Sequence, residues 1–389
     1  MSRKLVVISL AGVALFGFAA TATMLIRASG RASGPAQAAV VPALTAAGAA
    51  GTSEALLVAR RAGAKDDLVR LTDQTSQTVG TLPGRAVSAV AAPDGSAVAY
   101  LPMKWGPRFW VATPSGEVRT VSLASLGVTF VDAVTWSSPT QLIVSGCKQR
   151  REPNPAKDFL YEVTAGSWTV KRFRGLRGAE PSAAPQAGTL AFVRITDVGP
   201  APDRPWARRL REQLLLLDLN GGAAPKVIET ETYSSTLDLR SFFEPQLAPD
   251  GEHVVTATSG SDITVNYRVW SVHGGKAIYH KRTACPGPAI GVWDAAGTRL
   301  AFAGLVPMPD TDMQARVWVY DLGTDSVAAS GLLGSFTSVS LSWSASGDLA
   351  AARSKLGKAL DEGTAYLAVG GSLTQFTKLQ AGGLPAWVQ

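Results

Sequence analysis

Residues 89–101 read AVAAPDGSAVAYL, two short apolar runs on either side of the tight polar turn Pro-Asp-Gly. An apolar run, a turn and a second apolar run are typical of two antiparallel β-strands that follow each other in the chain. The same arrangement returns five more times, and a half-copy follows the last of them. The later copies are AVTWSSPTQLIVS from Ala133, PSAAPQAGTLAFV from Pro181, PQLAPDGEHVVTA from Pro245, IGVWDAAGTRLAFA from Ile290, LSWSASGDLAAA from Leu341 and the half-copy LPAWVQ from Leu384.

Aligning these copies produces one column of equivalent positions with a nearly constant spacing. The column contains Ala91, Trp136, Ala183, Leu247, Trp293, Trp343 and Trp387, separated by 45, 47, 64, 46, 50 and 44 residues. A third β-rich segment repeats as well, as RFWVATPSG, FLYEVTAGS, LLLLDLNGG, YRVWSVHGG, VWVYDLGTD and AYLAVGGS. A period near 45 residues with four strand-like segments in each unit predicts the blades of a β-propeller.

The half-copy predicts how the ring closes. The strand in LPAWVQ needs three further strands to complete a blade, and residues 55–82 supply ALLVARR, DDLVRLTD and QTVGTLP. We therefore predict an all-β fold, a seven-bladed β-propeller over residues 54–389. Its last blade takes the inner strand from the carboxy terminus, which leaves no open sheet edge at the seam. The alternative is an open sandwich or two smaller β-domains.

The repeat resembles that of TolB-like and WD-repeat-like propellers, whose TolB-type consensus is Trp-Ser-Pro-Asp-Gly before an apolar strand. Residues 91–95 (AAPDG) and 247–251 (LAPDG) match best, and residues 136–139 (WSSP) and 343–347 (WSASG) match in part. The resemblance covers about residues 54–389 and implies a fold, not an activity. TolB itself carries a separate amino-terminal domain and typically six blades, and neither is evident here. We interpret Asp94 and Asp250 as turn residues that bind their own backbone.

Composition excludes several other classes of protein. The 389 residues are 46% hydrophobic and only 17% charged, which excludes a chain disordered through high charge. Two cysteines cannot form a disulfide-dense scaffold or a four-cysteine zinc site. The 39 glycines and 23 prolines favour many turns and short strands.

The first 27 residues are predicted to form a transmembrane signal anchor. Leu5 to Ile26 are 22 uncharged residues, a helix of roughly 33 Å, which is enough to cross a bilayer core. Arg3 and Lys4 precede it, so we expect a single-pass plasma-membrane protein with the propeller outside the cytoplasm. The alternative is secretion after cleavage near Ala20-Thr21-Ala22. Residues 28–53, rich in Ala, Gly, Ser and Pro, are interpreted as a flexible linker, with an Ala-rich helix as the alternative.

Loop length predicts which face of the propeller binds a partner. The turns after the first and third strands of each blade are short, whereas several after the second strands are long, such as residues 147–157 and 195–212. Long loops on a rigid scaffold commonly carry binding sites. In blades 1–3 this face is basic, with two aromatics among the cations: the candidate residues are Lys104, Trp105, Arg108, Lys148, Arg150, Arg151, Lys157, Arg204, Trp206, Arg208, Arg209 and Arg211.

Such a face suits an acidic protein or an anionic envelope polymer, whereas nucleic acid is not expected for an exported domain. A solvated rim with no specific partner is the alternative. We therefore interpret the protein as a membrane-tethered, non-catalytic interaction scaffold, with a lyase or hydrolase acting at the central channel as the alternative.

The sequence favours no catalytic, metal or cofactor site. It contains no Gly-x-Ser-x-Gly, His-Glu-x-x-His or Gly-x-Gly-x-x-Gly motif. Among the three histidines, His253 and His273 are expected on the short-loop face near Glu252, and His280 on an outer strand. A metal site there has no further histidine from other blades. Cys147 and Cys285 are expected to be thiols three blades apart, too far for a disulfide.

Overall fold

The fold is a ring of β-sheets, of which the described residues form 28 strands. A computed structural model gives the structure of residues 54–72, 75–148, 157–202, 204–234, 242–259, 264–274, 276–284, 291–306, 314–331, 338–354, 364–371, 373, 377–378 and 383–388. The first three strands are β1 (Ala55–Ala62), β2 (Lys65–Leu71) and β3 (Ser76–Thr81). Blade 1 consists of β4 (Ala86–Ala91), β5 (Val98–Pro102), β6 (Arg108–Ala112) and β7 (Val118–Ser122). Blade 2 consists of β8 (Phe130–Ser138), β9 (Gln141–Cys147), β10 (Phe159–Thr164) and β11 (Thr169–Arg177).

The remaining blades repeat the pattern. Blade 3 consists of β12 (Ala179–Ala184), β13 (Thr189–Ala201), β14 (Arg204–Asp218) and β15 (Lys226–Ser234). Blade 4 consists of β16 (Phe243–Leu247), β17 (His253–Ser259), β18 (Thr264–Ser271) and β19 (Tyr279–Ala284). Blade 5 consists of β20 (Val292–Trp293), β21 (Arg299–Val306), β22 (Gln314–Asp321) and β23 (Ser326–Ala329). Blade 6 consists of β24 (Ser338–Trp343), β25 (Leu349–Ser354), β26 (Thr364–Ala368) and β27 (Thr377–Lys378), and β28 (Leu384–Val388) follows.

Every blade is a four-stranded antiparallel sheet whose strands pair in sequence order from the first to the fourth. Blades 4 and 5 are additionally joined by one backbone pair between Ala284 and Leu305, which links their sheets. The seventh blade has the order β28-β1-β2-β3, with Trp387 opposite Leu56. The predicted seven-bladed propeller and its closure by a carboxy-terminal strand are confirmed.

The first strands form the inner ring. Each lies beside the first strand of the next blade, and β28 lies between β24 and β4, so the circle is complete. The predicted column falls on these seven strands, one residue per blade. The second and third strands are buried on both faces because each blade is sandwiched between two others. In β5, for example, Val98, Ala99 and Tyr100 are all fully buried.

The turn interpretation of Asp94 and Asp250 is also confirmed. The carboxylate of Asp94 accepts the amide of Ser96 at 3.1 Å, and that of Asp250 accepts the amide of Glu252 at 2.8 Å. The glycine after each aspartate adopts a positive φ, which a residue with a side chain rarely does.

The predictions for the amino terminus concern residues 1–53, which lie outside the described part of the chain. The anchor over Leu5 to Ile26, the cleavage alternative and the linker therefore stay predictions. Within the described ranges, no helix combines the length and apolar character that a membrane crossing needs.

Candidate binding face

The strand order places the connections on two opposite faces. The short-loop face carries the turns from first to second strands and from third to fourth strands. The long-loop face carries the turns from second to third strands and the connections between blades. Each inner strand therefore starts at the long-loop face and ends at the short-loop face.

The predicted cations of blades 1 and 2 are displayed on the long-loop face. Lys104 and Arg108 lie at the turn from β5 to β6, and both are exposed. Lys148 follows β9 and Lys157 precedes β10, and these are exposed too. Arg150 and Arg151 lie between them, outside the described residues.

The long segment of blade 3 differs from the loop that was expected. Residues 195–212 continue β13 and β14 as a hairpin, whose last pair is Ala201 with Arg204. The pairing shifts register around Pro200, and this irregularity lets a Gly- and Pro-containing segment stay in a β-ladder. The basic residues of blade 3 therefore lie on a strand instead of an irregular loop.

On this hairpin the arginines have different environments. Arg208 Nε donates to Asp197 Oδ2 at 2.7 Å. This hydrogen bond, followed by the amide of Gly199, lowers the pKa of Asp197. Arg209 and Arg211 are exposed. Arg204 and Trp206 lie near the start of β14, where the structure describes the backbone only.

Five of the predicted cations are exposed and have no ion-pair partner among the residues that the structure describes. They are Lys104, Arg108, Lys148, Arg209 and Arg211. Trp105, in contrast, is half-buried. Its ring packs edge-on against Phe130, with centroids 6.3 Å apart, so it supports the connection from blade 1 to blade 2.

The short-loop face has the opposite charge. Exposed acids lie in its turns or on the adjoining strand residue: Asp94, Glu117, Asp218, Asp250, Glu252 and Asp325. In the described turns of this face, the exposed basic residues at equivalent places are Lys226 and Lys276. Among the described residues, the two faces of the propeller therefore differ in charge, a property that the loop comparison in the sequence did not reveal.

The histidines lie where the sequence placed them. His273 Nε2 is 3.0 Å from Glu252 Oε2, and His253 Nδ1 is 3.5 Å from Asp250 Oδ2, all on the short-loop face of blade 4. His280 lies on the outer strand β19. Over the described ranges, no group of three or more His, Cys, Asp or Glu residues is arranged to hold a metal ion.

Sequence reasoning missed two acidic residues at the starts of inner strands, of which Glu180 is buried and Glu244 is half-buried. Glu180 and Glu244 occupy equivalent positions on β12 and β16, both with positive φ, and Glu180 Oε2 accepts the amide of Glu244 at 2.7 Å. The signal was present as the repeated pattern Glu-Pro-x-x-Ala-Pro at residues 180–185 and 244–249. The Glu180 carboxylate therefore fixes the irregular backbone with which blade 4 begins.

Comparison with known proteins identifies the fold and no family. No family model matches the chain, and no curated protein is similar to it. A Bacteroides fragilis structure, a candidate 6-phosphogluconolactonase, has a TM-score of 0.51 and 10% identity, over 87% of this chain and 99% of that chain. This likeness supports the propeller fold alone.

TolB structures are also among the solved propellers that resemble the chain. TolB from Acinetobacter baumannii has a TM-score of 0.43 and 14% identity, over 87% of this chain and 84% of that chain. A candidate TolB from Agrobacterium tumefaciens has a TM-score of 0.46 and 12% identity, over 74% of this chain and 94% of that chain. The expected resemblance to TolB-like propellers is confirmed at the level of the fold.

Proposed function

We propose that this protein is a membrane-tethered, non-catalytic propeller that binds an acidic protein or an anionic envelope polymer through its long-loop face. The observation that carries the proposal is the group of five exposed cations on blades 1–3 without ion-pair partners among the described residues. Three of the five are arginines, whose guanidinium groups match carboxylate and phosphate oxygens with two parallel hydrogen bonds.

The charge asymmetry of the propeller supports a directed approach of the partner. An anionic partner is attracted by the long-loop face and repelled by the exposed acids of the short-loop face. Since exposed charges are screened over about 8 Å at physiological ionic strength, binding of this kind weakens as salt is added.

The attachment point of the chain fits this orientation. Glu54, the first described residue, accepts hydrogen bonds from Ala345 and Ser346 in a turn of the short-loop face. The expected tether of 26 residues therefore leaves from the face opposite the cations. A flexible chain of this length spans about 28 Å on average, enough to hold the propeller clear of a bilayer surface.

The test compares two variants that remove equal charge from opposite faces. R209S/R211S removes two arginines from the blade 3 hairpin, and K226S/K276S removes two lysines from the short-loop face. Polyglutamate and inorganic polyphosphate serve as probes, since one presents carboxylates and the other phosphates. We expect R209S/R211S to raise the Kd for at least one probe about tenfold at low salt, and K226S/K276S to raise it by less than about twofold, because its charges lie far from the long-loop face.

The two probes also distinguish the partner classes. Preference for polyglutamate favours an acidic protein, and preference for polyphosphate favours a phosphate-containing envelope polymer. Equal effects of the two variants, or binding to neither probe at low salt, would overturn the proposal.

A further inference from the structure

Three acidic residues occupy equivalent register positions in three blades: Asp66 and Glu212 lie on the third strands β2 and β14, and Asp158 directly precedes the third strand β10. On the third strand of each of these blades, one residue is aligned across the sheet with the column residue of the inner strand. Asp66, Asp158 and Glu212 each lie five residues before that aligned residue. The aligned residues are Leu71, Val163 and Leu217, matched through the second strands to Trp387, Trp136 and Ala183.

Two of the three carboxylates have the same structural role. Asp66 Oδ2 accepts the amide of Ala86 at 2.8 Å, and Glu212 Oε2 accepts the amide of Phe242 at 3.3 Å. Ala86 and Phe242 each lie five residues before the column of the next blade. In both cases the main-chain amide that opens the next blade satisfies the hydrogen-bonding need of a buried carboxylate oxygen.

Asp158 does not have this role. The equivalent amide, that of Gly178, donates at 3.1 Å to the main-chain oxygen of Asp158, not to its carboxyl group. The residue is 1% exposed, and both carboxyl oxygens are buried without a hydrogen bond to the described residues. The side chain is therefore released from the amide that its two counterparts bind.

Among the residues that the structure describes, the groups that interact electrostatically with Asp158 come from four strands, and none of them is cationic. They are Asp132 on β8, Cys147 on β9, Tyr161 on β10 and Glu180 on β12. An ionised Asp158 would place a buried negative charge beside two other acids, with no compensating cation in the described part of the chain.

A single proton bound to Asp158 removes the unfavourable contact between two negative charges. Two ionised carboxylates carry no donor between them, whereas a protonated Asp158 donates a hydrogen bond to the carboxylate of Asp132. We propose that Asp158 is a proton-binding site, neutral in the folded protein at neutral pH, whose proton is shared with Asp132 and stabilises the joint between blades 2 and 3.

The electrostatics set the direction of the pH dependence. Burial, and then the charge of Asp132, raise the pKa of Asp158 well above its usual range, while the thiol of Cys147 opposes the shift. Between the usual pKa of an aspartate in the unfolded chain and the raised pKa of Asp158 in the folded protein, the folded protein holds a proton that the unfolded chain has released. The free energy of unfolding therefore falls as pH rises through this range.

The experiment uses the full chain, purified in detergent, and two variants at the same register. D158N imitates the protonated acid, and D66N is the matched control, since Asp66 accepts an amide as a carboxylate. At about pH 8 we expect D158N to raise the urea midpoint by about 0.5 M, and at about pH 5 we expect its midpoint to equal that of the wild type. D66N is expected to lower the midpoint at both values.

Infrared spectroscopy detects the proton directly. The wild-type protein is expected to show the carbonyl stretch of a buried protonated carboxyl group at neutral pH, and D158N to lack it. A D158N midpoint that falls as that of D66N does, or a wild-type spectrum without the band, overturns the proposal. If D158N does not fold, the wild-type band and its loss at alkaline pH decide the question.

Discussion

The indole Nε1 of Trp387 donates a 3.2 Å hydrogen bond to the main-chain carbonyl of Ser342, across the boundary between blades 6 and 7. The same bond recurs at other boundaries, where the acceptor again directly precedes the column residue of the preceding blade. The equivalent pairs are Trp136 with Val90, Trp293 with Gln246 and Trp343 with Val292, at 3.0, 2.9 and 3.1 Å. At two of the three column positions without tryptophan, a hydroxyl oxygen of the preceding blade binds the column amide instead: Thr135 accepts the amide of Ala183, and Ser182 that of Leu247.

This ring of contacts predicts the cost of changing the last tryptophan. Trp387→Phe keeps most of the apolar contact and removes the donor, so we expect a loss of about 1 kcal/mol in the free energy of unfolding. Trp387→Ala also leaves a cavity, for an expected loss of about 3–5 kcal/mol. Urea unfolding measures both. Trp136→Phe is the control, because it removes the same bond away from the seam; a Trp387→Phe variant as stable as the wild type would contradict the assignment.

A second seam contact involves the first described residue. Glu54 Oε1 accepts the amide of Ala345 at 2.8 Å, and Oε2 accepts the hydroxyl of Ser346 at 2.7 Å. Glu54→Ala removes both acceptors, and we expect it to lower the free energy of unfolding by about 1–2 kcal/mol. The control is Glu117→Ala, an exposed acid of the same face, expected to change stability by less than about 0.5 kcal/mol. Equal effects of the two substitutions in urea unfolding would show that Glu54 does not tie the chain to blade 6.

The sequence was sufficient to predict the ring because each blade repeats the same local rule. Four of the seven column residues are tryptophans that make the same hydrogen bond to the preceding blade, and two turns share the Pro-Asp-Gly sequence and its aspartate-to-amide bond, so both features leave a period in the sequence. The blade 3 hairpin was missed for the opposite reason. Gly199 and Pro200 indicate a loop by local preference, and their place in a ladder depends on pairing with β14, which no local pattern reports.

The candidate site was predictable only in part. Which residues are basic follows from the sequence, but the ion pair of Arg208 with Asp197 and the burial of Trp105 depend on side-chain packing. The distinct environment of Asp158 could not be predicted from the sequence. Asp66 and Glu212 are also acidic and occupy the equivalent register position. In these two residues a side-chain oxygen accepts the amide of the next blade, whereas in Asp158 the main-chain oxygen accepts it.

Close packing between blades 7 and 1 predicts a severe effect at one glycine. Gly116 has a φ of +90°, and a Cβ atom there would collide with the main chain of Val79 and Gly80 on β3. Gly63 has a similar positive φ of +65° but open space around it. We expect Gly63→Ala to cost about 1 kcal/mol from the backbone conformation alone, and Gly116→Ala to cost about 3 kcal/mol. Thermal unfolding of the two variants separates the cost of the backbone conformation from the cost of the collision with β3. An equal loss of stability in the two variants would contradict the packing argument.

An aromatic pair between blades 4 and 5 predicts the behaviour of the protein at alkaline pH. The rings of Tyr279 and Tyr320 stack with centroids 3.9 Å apart, and the Tyr320 hydroxyl donates to Asp325 at 3.0 Å. Burial, followed by interactions with Asp325, raises the pKa of each tyrosine to about 12. Since the unfolded chain loses these protons near pH 10, the free energy of unfolding should fall as pH rises from about 10 to about 12.

Asp325→Asn tests this assignment, because it removes the negative charge and retains a side chain that tolerates the positive φ of 48° at this position. We expect the Tyr320 hydroxyl to ionise at lower pH in the variant, and the alkaline loss of stability to become smaller. Ultraviolet titration of tyrosinate absorbance and urea midpoints on both sides of about pH 10 measure the two effects. Asp94→Asn, on a distant turn of the same face, is the control for a general change in charge. A tyrosinate titration that is the same in the wild type and in Asp325→Asn would show that Asp325 does not hold the proton on Tyr320.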